Sequence, residues 1–192
     1  MGIKRLLMKK WLAFTLIETV VVIGVIGLVL PVLFTILFVI LQQQSKLNRL
    51  QQVKKNGDFV LSILEKTIKN RANSIYENTP PTDERCGKRE ASYPITFSDP
   101  GGSNFYFLDK DGNWFRFYLT GNKIASSSAG GDIFMTTDLT KVDSFDISCD
   151  RSSAFSPATV SVNITISFNT SSTRVEDTAS LTYRTRIKMK NY

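Results

Sequence analysis

Residues Phe14–Leu41 read FTLIETVVVIGVIGLVLPVLFTILFVIL, a long apolar run whose one ionisable side chain is Glu18. About 20 apolar residues suffice to cross the hydrocarbon core of a bilayer, so the run predicts a transmembrane helix with length to spare. The preceding MGIKRLLMKKWLA carries Lys4, Arg5, Lys9 and Lys10 and no acid. This end is therefore expected in the cytoplasm, and everything after Leu41 on the far side of the membrane. Pro31 removes one helical N–H and crowds the preceding turn, which predicts a kink within the span. A carboxylate in such a helix is expensive, about 2.5 to 3.5 kcal/mol at mid-bilayer on insertion scales. Glu18 lies near the helix start, where the cost is smaller and the positive end of the helix dipole compensates. A tolerated interfacial acid and an acid awaiting a counter-charge both fit that position.

The order of residues at the join narrows the choice. Lys9, Lys10 and the small residue Ala13 are followed at once by Phe14-Thr15-Leu16-Ile17-Glu18 and the apolar run. This resembles the type III signal sequence of type IV prepilins and type II secretion pseudopilins. The resemblance implies cleavage by a prepilin peptidase between Ala13 and Phe14 and N-methylation of Phe14. It also implies that Glu18 is the acid that meets the amino terminus of a neighbouring subunit during filament assembly. Ala13 stands where that family usually carries glycine, which implies slower processing. Other pilin or pseudopilin subunits, the peptidase and an inner-membrane assembly platform are the partners that follow from the same resemblance, and the modest head points to a minor pilin.

Beyond Leu41 the chain turns polar, yet Leu47, Leu50, Val53, Val60, Leu64, Ile68, Ala72 and Ile75 recur mostly three, four or seven apart. That is one stripe of an amphipathic helix. The same helix is expected to leave the membrane and lay this stripe on a globular head, with a bend marked by Gly57 and an end at Thr79-Pro80-Pro81. The expected organisation is a leader over 1–13, a transmembrane half over 14–41, an amphipathic half over 42–78 and a β-rich head over 79–192. The fold class is α+β, with the long helix packed on an antiparallel sheet.

In the head, residues 82–100 and the Gly/Ser-rich stretch from Ser126 to Gly131 read as loops. Asn104–Leu108 and Trp114–Leu119 flank Lys110-Asp111-Gly112-Asn113, a hairpin turn rich in residues that accept positive φ. The aromatic side chains of this hairpin read as core, with a ligand platform as the sharper alternative. Asp109 and Asp111 invite a calcium reading, but Trp114 stands where the EF-hand pattern needs its glycine, so a turn is expected and no metal site. A further strand is expected over Val142–Cys149. Two alternating runs, 160–168 and 181–190, predict a closing antiparallel hairpin.

Charge and cysteines bound the function. The 24 basic and 17 acidic residues give +7, and loss of the four leader cations leaves 20 against 17, too weak a surplus to argue nucleic-acid binding by itself. Histidine is absent, which removes the commonest general base and metal ligand. With no nucleophile–base pair, phosphate loop or metal cluster, the chain does not read as an enzyme and no cofactor is expected. Cys86 and Cys149, both in the exported part, predict one disulfide. Arg184, Arg186, Lys188 and Lys190 alternate along the last strand at about 7 Å intervals. That row suits DNA phosphates, as in a DNA-contacting minor pilin, or a solvated face that deters strand pairing. A single-pass anchored binding module, uncut at Ala13, is the other class the residues allow.

Overall fold

The computed structural model describes residues 15–87, 92–174 and 177–190, so the leader and the Ala13–Phe14 junction lie outside the described residues. The chain divides into two units, residues 1–43 and 44–192. One helix, α1 (Leu16–Arg71), contributes to both.

In the first unit α1 is apolar on every side. Each large apolar residue from Leu16 to Leu41 is between 43% and 82% exposed. The helix is long and apolar enough to cross a membrane. Pro31 breaks the hydrogen-bond ladder locally, since it has no N–H to give, but α1 continues through it. The Thr35 hydroxyl donates to the Pro31 carbonyl at 2.8 Å.

The second unit is α+β, with α1 packed on two antiparallel sheets. Strands β1 (Ser74–Tyr76), β2 (Glu84–Arg85), β4 (Tyr106–Leu108), β5 (Trp114–Thr120), β6 (Lys123–Ser128) and β7 (Gly131–Phe134) make one sheet in the order β2-β1-β4-β5-β6-β7. Strands β3 (Ile95–Pro100), β8 (Thr140–Arg151), β9 (Thr159–Phe168) and β10 (Ser180–Lys188) make the other in the order β10-β9-β8-β3. Val53, Gly57, Val60, Leu64 and Ile68 form the buried stripe of α1. They meet Phe107, Phe115, Phe117 and Ile124 of the first sheet and Val142, Phe145, Ile147, Val160, Val162, Ile164 and Ile166 of the second in one core.

Several boundaries differ from the sequence reading, each for a tertiary reason. The helix ends at Arg71 rather than at Thr79-Pro80-Pro81, because the Asn73 N–H donates to the Leu108 carbonyl at 2.8 Å and Ser74–Tyr76 then pairs with β4. Ile75 stays buried, on a strand instead of a helix. Leu47, expected on the stripe, is 55% exposed. Residues 82–100 are not all loop, since they hold β2 and β3, and the Gly/Ser-rich stretch belongs largely to the β6–β7 hairpin. Gly57 marks no break in α1. It lets β10 approach, because a Cβ there would overlap the Tyr183 ring, whose hydroxyl donates to the Lys54 carbonyl at 3.1 Å. Val142, Phe145 and Ile147 are out of phase by one residue for a regular strand, and a bulge between Val142 and Ser144 restores the phase so that all three point into the core.

The expected β9–β10 hairpin pairs without a shift from Ser167↔Ser180 to Thr159↔Lys188. Cys86 and Cys149 form a disulfide with a Cα–Cα distance of 6.4 Å, linking the end of β2 to the C-terminal part of β8.

Candidate functional site

Three groups of residues carry the candidate chemistry: the start of α1, the turn after β4, and the outer face of β10. At the start of α1, the Glu18 N–H donates to the Thr15 carbonyl at 3.1 Å and lies 3.4 Å from the Thr15 hydroxyl oxygen. Thr15 is thus the N-cap and Glu18 the third helical residue. This is the Thr-x-x-Glu spacing of a capping box, in which a short polar side chain satisfies a free N–H of the first turn. Phe-Thr-Leu-Ile-Glu therefore has a local reason to begin a helix where it does. The Glu18 carboxylate makes no ion pair among the described residues and is exposed. Ala13 and Phe14 lie outside the described residues.

The four phenylalanines of the β4–β5 region, Phe105, Phe107, Phe115 and Phe117, are core, stacked, tilted or edge-on at centroid distances of 5.2 to 6.4 Å. Tyr106, Trp114 and Tyr118 alternate to the other side of the sheet, where the Arg116 guanidinium lies 5.1 Å from the Tyr106 ring centre and 4.3 Å from that of Tyr118. The aromatic run, read from sequence as one body, is divided between the two faces by strand alternation.

Asp109 is a turn residue. Its carboxylate accepts the N–H of Asp111 at 2.9 Å and of Asn113 at 2.8 Å, with Arg71 at 3.5 Å from the end of α1. The Asn113 N–H is the main cause that holds its pKa below the ordinary carboxylate value. Burial opposes this, and the Asn113 side chain, the Asp111 N–H and Arg71 add to it. A depressed folded pKa gives stability that is present above the ordinary carboxylate range and is lost as pH falls through the folded value. Asp109→Asn should therefore lower the melting temperature most at neutral pH. The gap between variant and wild type should close in melts taken toward pH 3, and a gap of constant size across that range would show that the charge is not what Asp109 contributes.

The basic row on β10 is real but divided. Arg184, Arg186, Lys188 and Lys190 are all exposed, with Lys190 two residues past the strand. Arg184 and Arg186 border an open groove with Asp146 of β8, Lys188 shares a hollow with Glu65 and Lys69, and Lys190 shares another with Arg71 and Asp109. Acids thus interrupt what the sequence presents as a uniform cationic strip. This arrangement could not be read from β10 alone, because the acids come from α1, β8 and the turn after β4.

No protein-family profile matches this chain, and comparison with curated proteins and with solved structures gives no match.

Proposed function

We propose that this chain is a structural subunit, a minor pilin or pseudopilin, of a type IV pilus or a type II secretion pseudopilus. The observation that carries the reading is the first unit's helix. Its surface from Leu16 to Leu41 is apolar apart from Glu18, Thr19 and Thr35, and Glu18, its one carboxylate, has no ion pair among the described residues. A helix of this kind must be covered, and lipid and a bundle of like helices serve equally because both are apolar. That equivalence lets the same segment wait in a membrane and then enter a fibre. A new amine at Phe14 would give Glu18 of a neighbouring subunit its counter-charge, which repays part of the cost of an acid in apolar surroundings. On this reading residues 1–13 stay cytoplasmic until cleavage and the second unit is exported, where a disulfide forms readily.

The test is the mass and N-terminal sequence of protein purified from membranes that also contain a prepilin peptidase. A chain starting at methylated Phe14 is the expected result. A chain that keeps Met1 while the peptidase processes a control substrate would overturn the reading and leave a single-pass anchored module. A DNA-contacting variant of the pilin reading needs the cations of β10, and the acids at Glu65, Asp109 and Asp146 beside them weigh against it.

A further inference from the structure

Each sheet has two outer strands, and three of the four carry a device that deters pairing with another chain. β2 is two residues long, β3 ends on Pro100, and β10 presents Arg184, Arg186 and Lys188. β7 is the exception. All four of its residues are exposed, with Ile133 at 72% and Phe134 at 58%. Its one charged residue, Asp132, accepts a hydrogen bond from the Tyr118 hydroxyl at 3.0 Å. The register with β6 fixes which backbone groups are left over. The Met135 N–H donates to the Ile124 carbonyl at 2.8 Å, so by antiparallel alternation Ile133 and Gly131 also turn their N–H and C=O toward β6. Those of Asp132 and Phe134 point away from the sheet.

We infer that β7 is a homophilic contact, pairing antiparallel with β7 of a second copy of this chain about a two-fold axis at Ile133. In that register Asp132 of each copy stands opposite Phe134 of the other, and the two exchange the backbone hydrogen bonds that β6 leaves unmade. Ile133 meets its own counterpart on the other face, which covers a side chain that the core does not reach. The strand is also its own electrostatic complement. The Lys123 amine lies 5.4 Å from the centre of the Phe134 ring, on the face that carries Asp132. The carboxylate of one copy therefore comes beside the amine of the other, twice by symmetry. Lys123 already pairs with Asp138, but an ammonium has three protons to give. Any strand offers the ladder; the two ion pairs and the Ile133 self-contact come from this sequence, and they select a second copy. A two-fold axis normal to a sheet reverses every direction in its plane. Because α1 packs on this sheet, its head portions in the two copies run in opposite directions. The contact thus joins heads that approach from opposing sides, not neighbours standing side by side. The inference does not depend on the filament reading.

The experiment traps the pair covalently, because a contact of four residues a side is small and its affinity low. Directly opposed residues of a pair without backbone hydrogen bonds have Cα atoms about 4.5 Å apart, within disulfide range. The full chain carrying Ile133→Cys, in detergent micelles and oxidised with copper phenanthroline, should therefore run as a dimer on a non-reducing gel. Cys86 and Cys149 are buried and bonded to each other, so they give no background. Leu139→Cys, also exposed, controls for chains that merely share a micelle and should cross-link roughly tenfold or more slowly. Phe134→Pro, added to the Ile133→Cys chain, removes an N–H that only the second copy uses, and should slow cross-linking roughly tenfold. An unchanged melting temperature verifies that this variant keeps its fold. Asp132→Lys in the same chain sets two cations side by side and should slow the reaction roughly threefold or more. The inference fails if Ile133→Cys stays monomeric, which would leave the edge to a strand of another protein. It fails equally if Ile133→Cys cross-links no faster than Leu139→Cys, or if Phe134→Pro or Asp132→Lys leaves the rate unchanged.

Discussion

Replacing both Cys86 and Cys149 by alanine should lower the unfolding free energy of the head by about 4 kcal/mol. The bond joins residues 63 apart in sequence, and closing a loop of that length removes much of the conformational freedom of the unfolded chain. Its position adds a native-state contribution. Cys149 is 0% exposed and pairs with Phe97 on one side and Val160 on the other, so it sits mid-sheet between β3 and β9. Cys86 follows β2 at the end of the other sheet, and its carbonyl accepts a hydrogen bond from Arg151 at 3.1 Å. Arg151 is 2% exposed and also donates to the carbonyls of Ser153 and Ala154, so one buried guanidinium ties the disulfide to the β8–β9 loop. Urea unfolding followed by Trp114 fluorescence, with the full chain carrying Trp11→Phe in detergent, measures the difference. A loss below about 1 kcal/mol would mean that the unfolded chain is already restrained in that region and that the chain-entropy account is wrong for this bond.

Glu18→Gln should reduce incorporation into filaments by about a hundredfold or more while leaving the amount of protein in the membrane unchanged. The structure makes this substitution sharper than Glu18→Ala. Thr15 caps the helix by accepting the backbone N–H of residue 18, a bond that glutamine keeps. Glutamine also retains the shape and the hydrogen-bonding tip of the side chain, so only the charge is lost. If Glu18 serves as one half of an ion pair in apolar surroundings, removing its charge strands the partner amine, a loss of about 3 to 5 kcal/mol. If it serves only the helix end, Thr15→Ala should be the more damaging change, at about 1 kcal/mol, and Glu18→Gln should assemble normally. The assay is the ratio of subunit in sheared filaments to subunit in membranes for the two variants side by side. Normal assembly of Glu18→Gln would refute the counter-charge role and leave capping as the function of the motif.

How much was legible follows from how local each signal is. The stripe Val53, Val60, Leu64 and Ile68 was readable because helical periodicity is written in neighbouring residues. The β9–β10 hairpin was readable for the same reason, since both strands alternate cleanly over nine or ten residues. The turn at Asp109 to Asn113 carries its own donors and acceptors within five residues. By contrast β1, β2 and β7 are two to four residues long, too short for any period. The β6 sequence KIASSS looks like a loop because its serines belong to a strand whose neighbours supply the ladder. The open groove beside β10 was half visible: Arg184 and Arg186 stood out, while Asp146, Ser148, Ser161 and Asn163 gave no sign in sequence that they would share a surface with them.

By itself, then, the amino-acid sequence determined the long apolar helix with one acid near its start, the α+β class of the head and the closing hairpin, because each is set by residues within a few turns or strands of one another. Only the tertiary structure decided that the helix stops at Arg71, that Gly57 admits Tyr183 instead of bending the chain, that the Cys86–Cys149 bond bridges two sheets, and that the cations of β10 face acids from three other elements. Those outcomes depend on hydrogen-bond ladders and close approaches between segments far apart in the chain, where the geometry of the partner, not the identity of the residue, settles which conformation has the lower free energy.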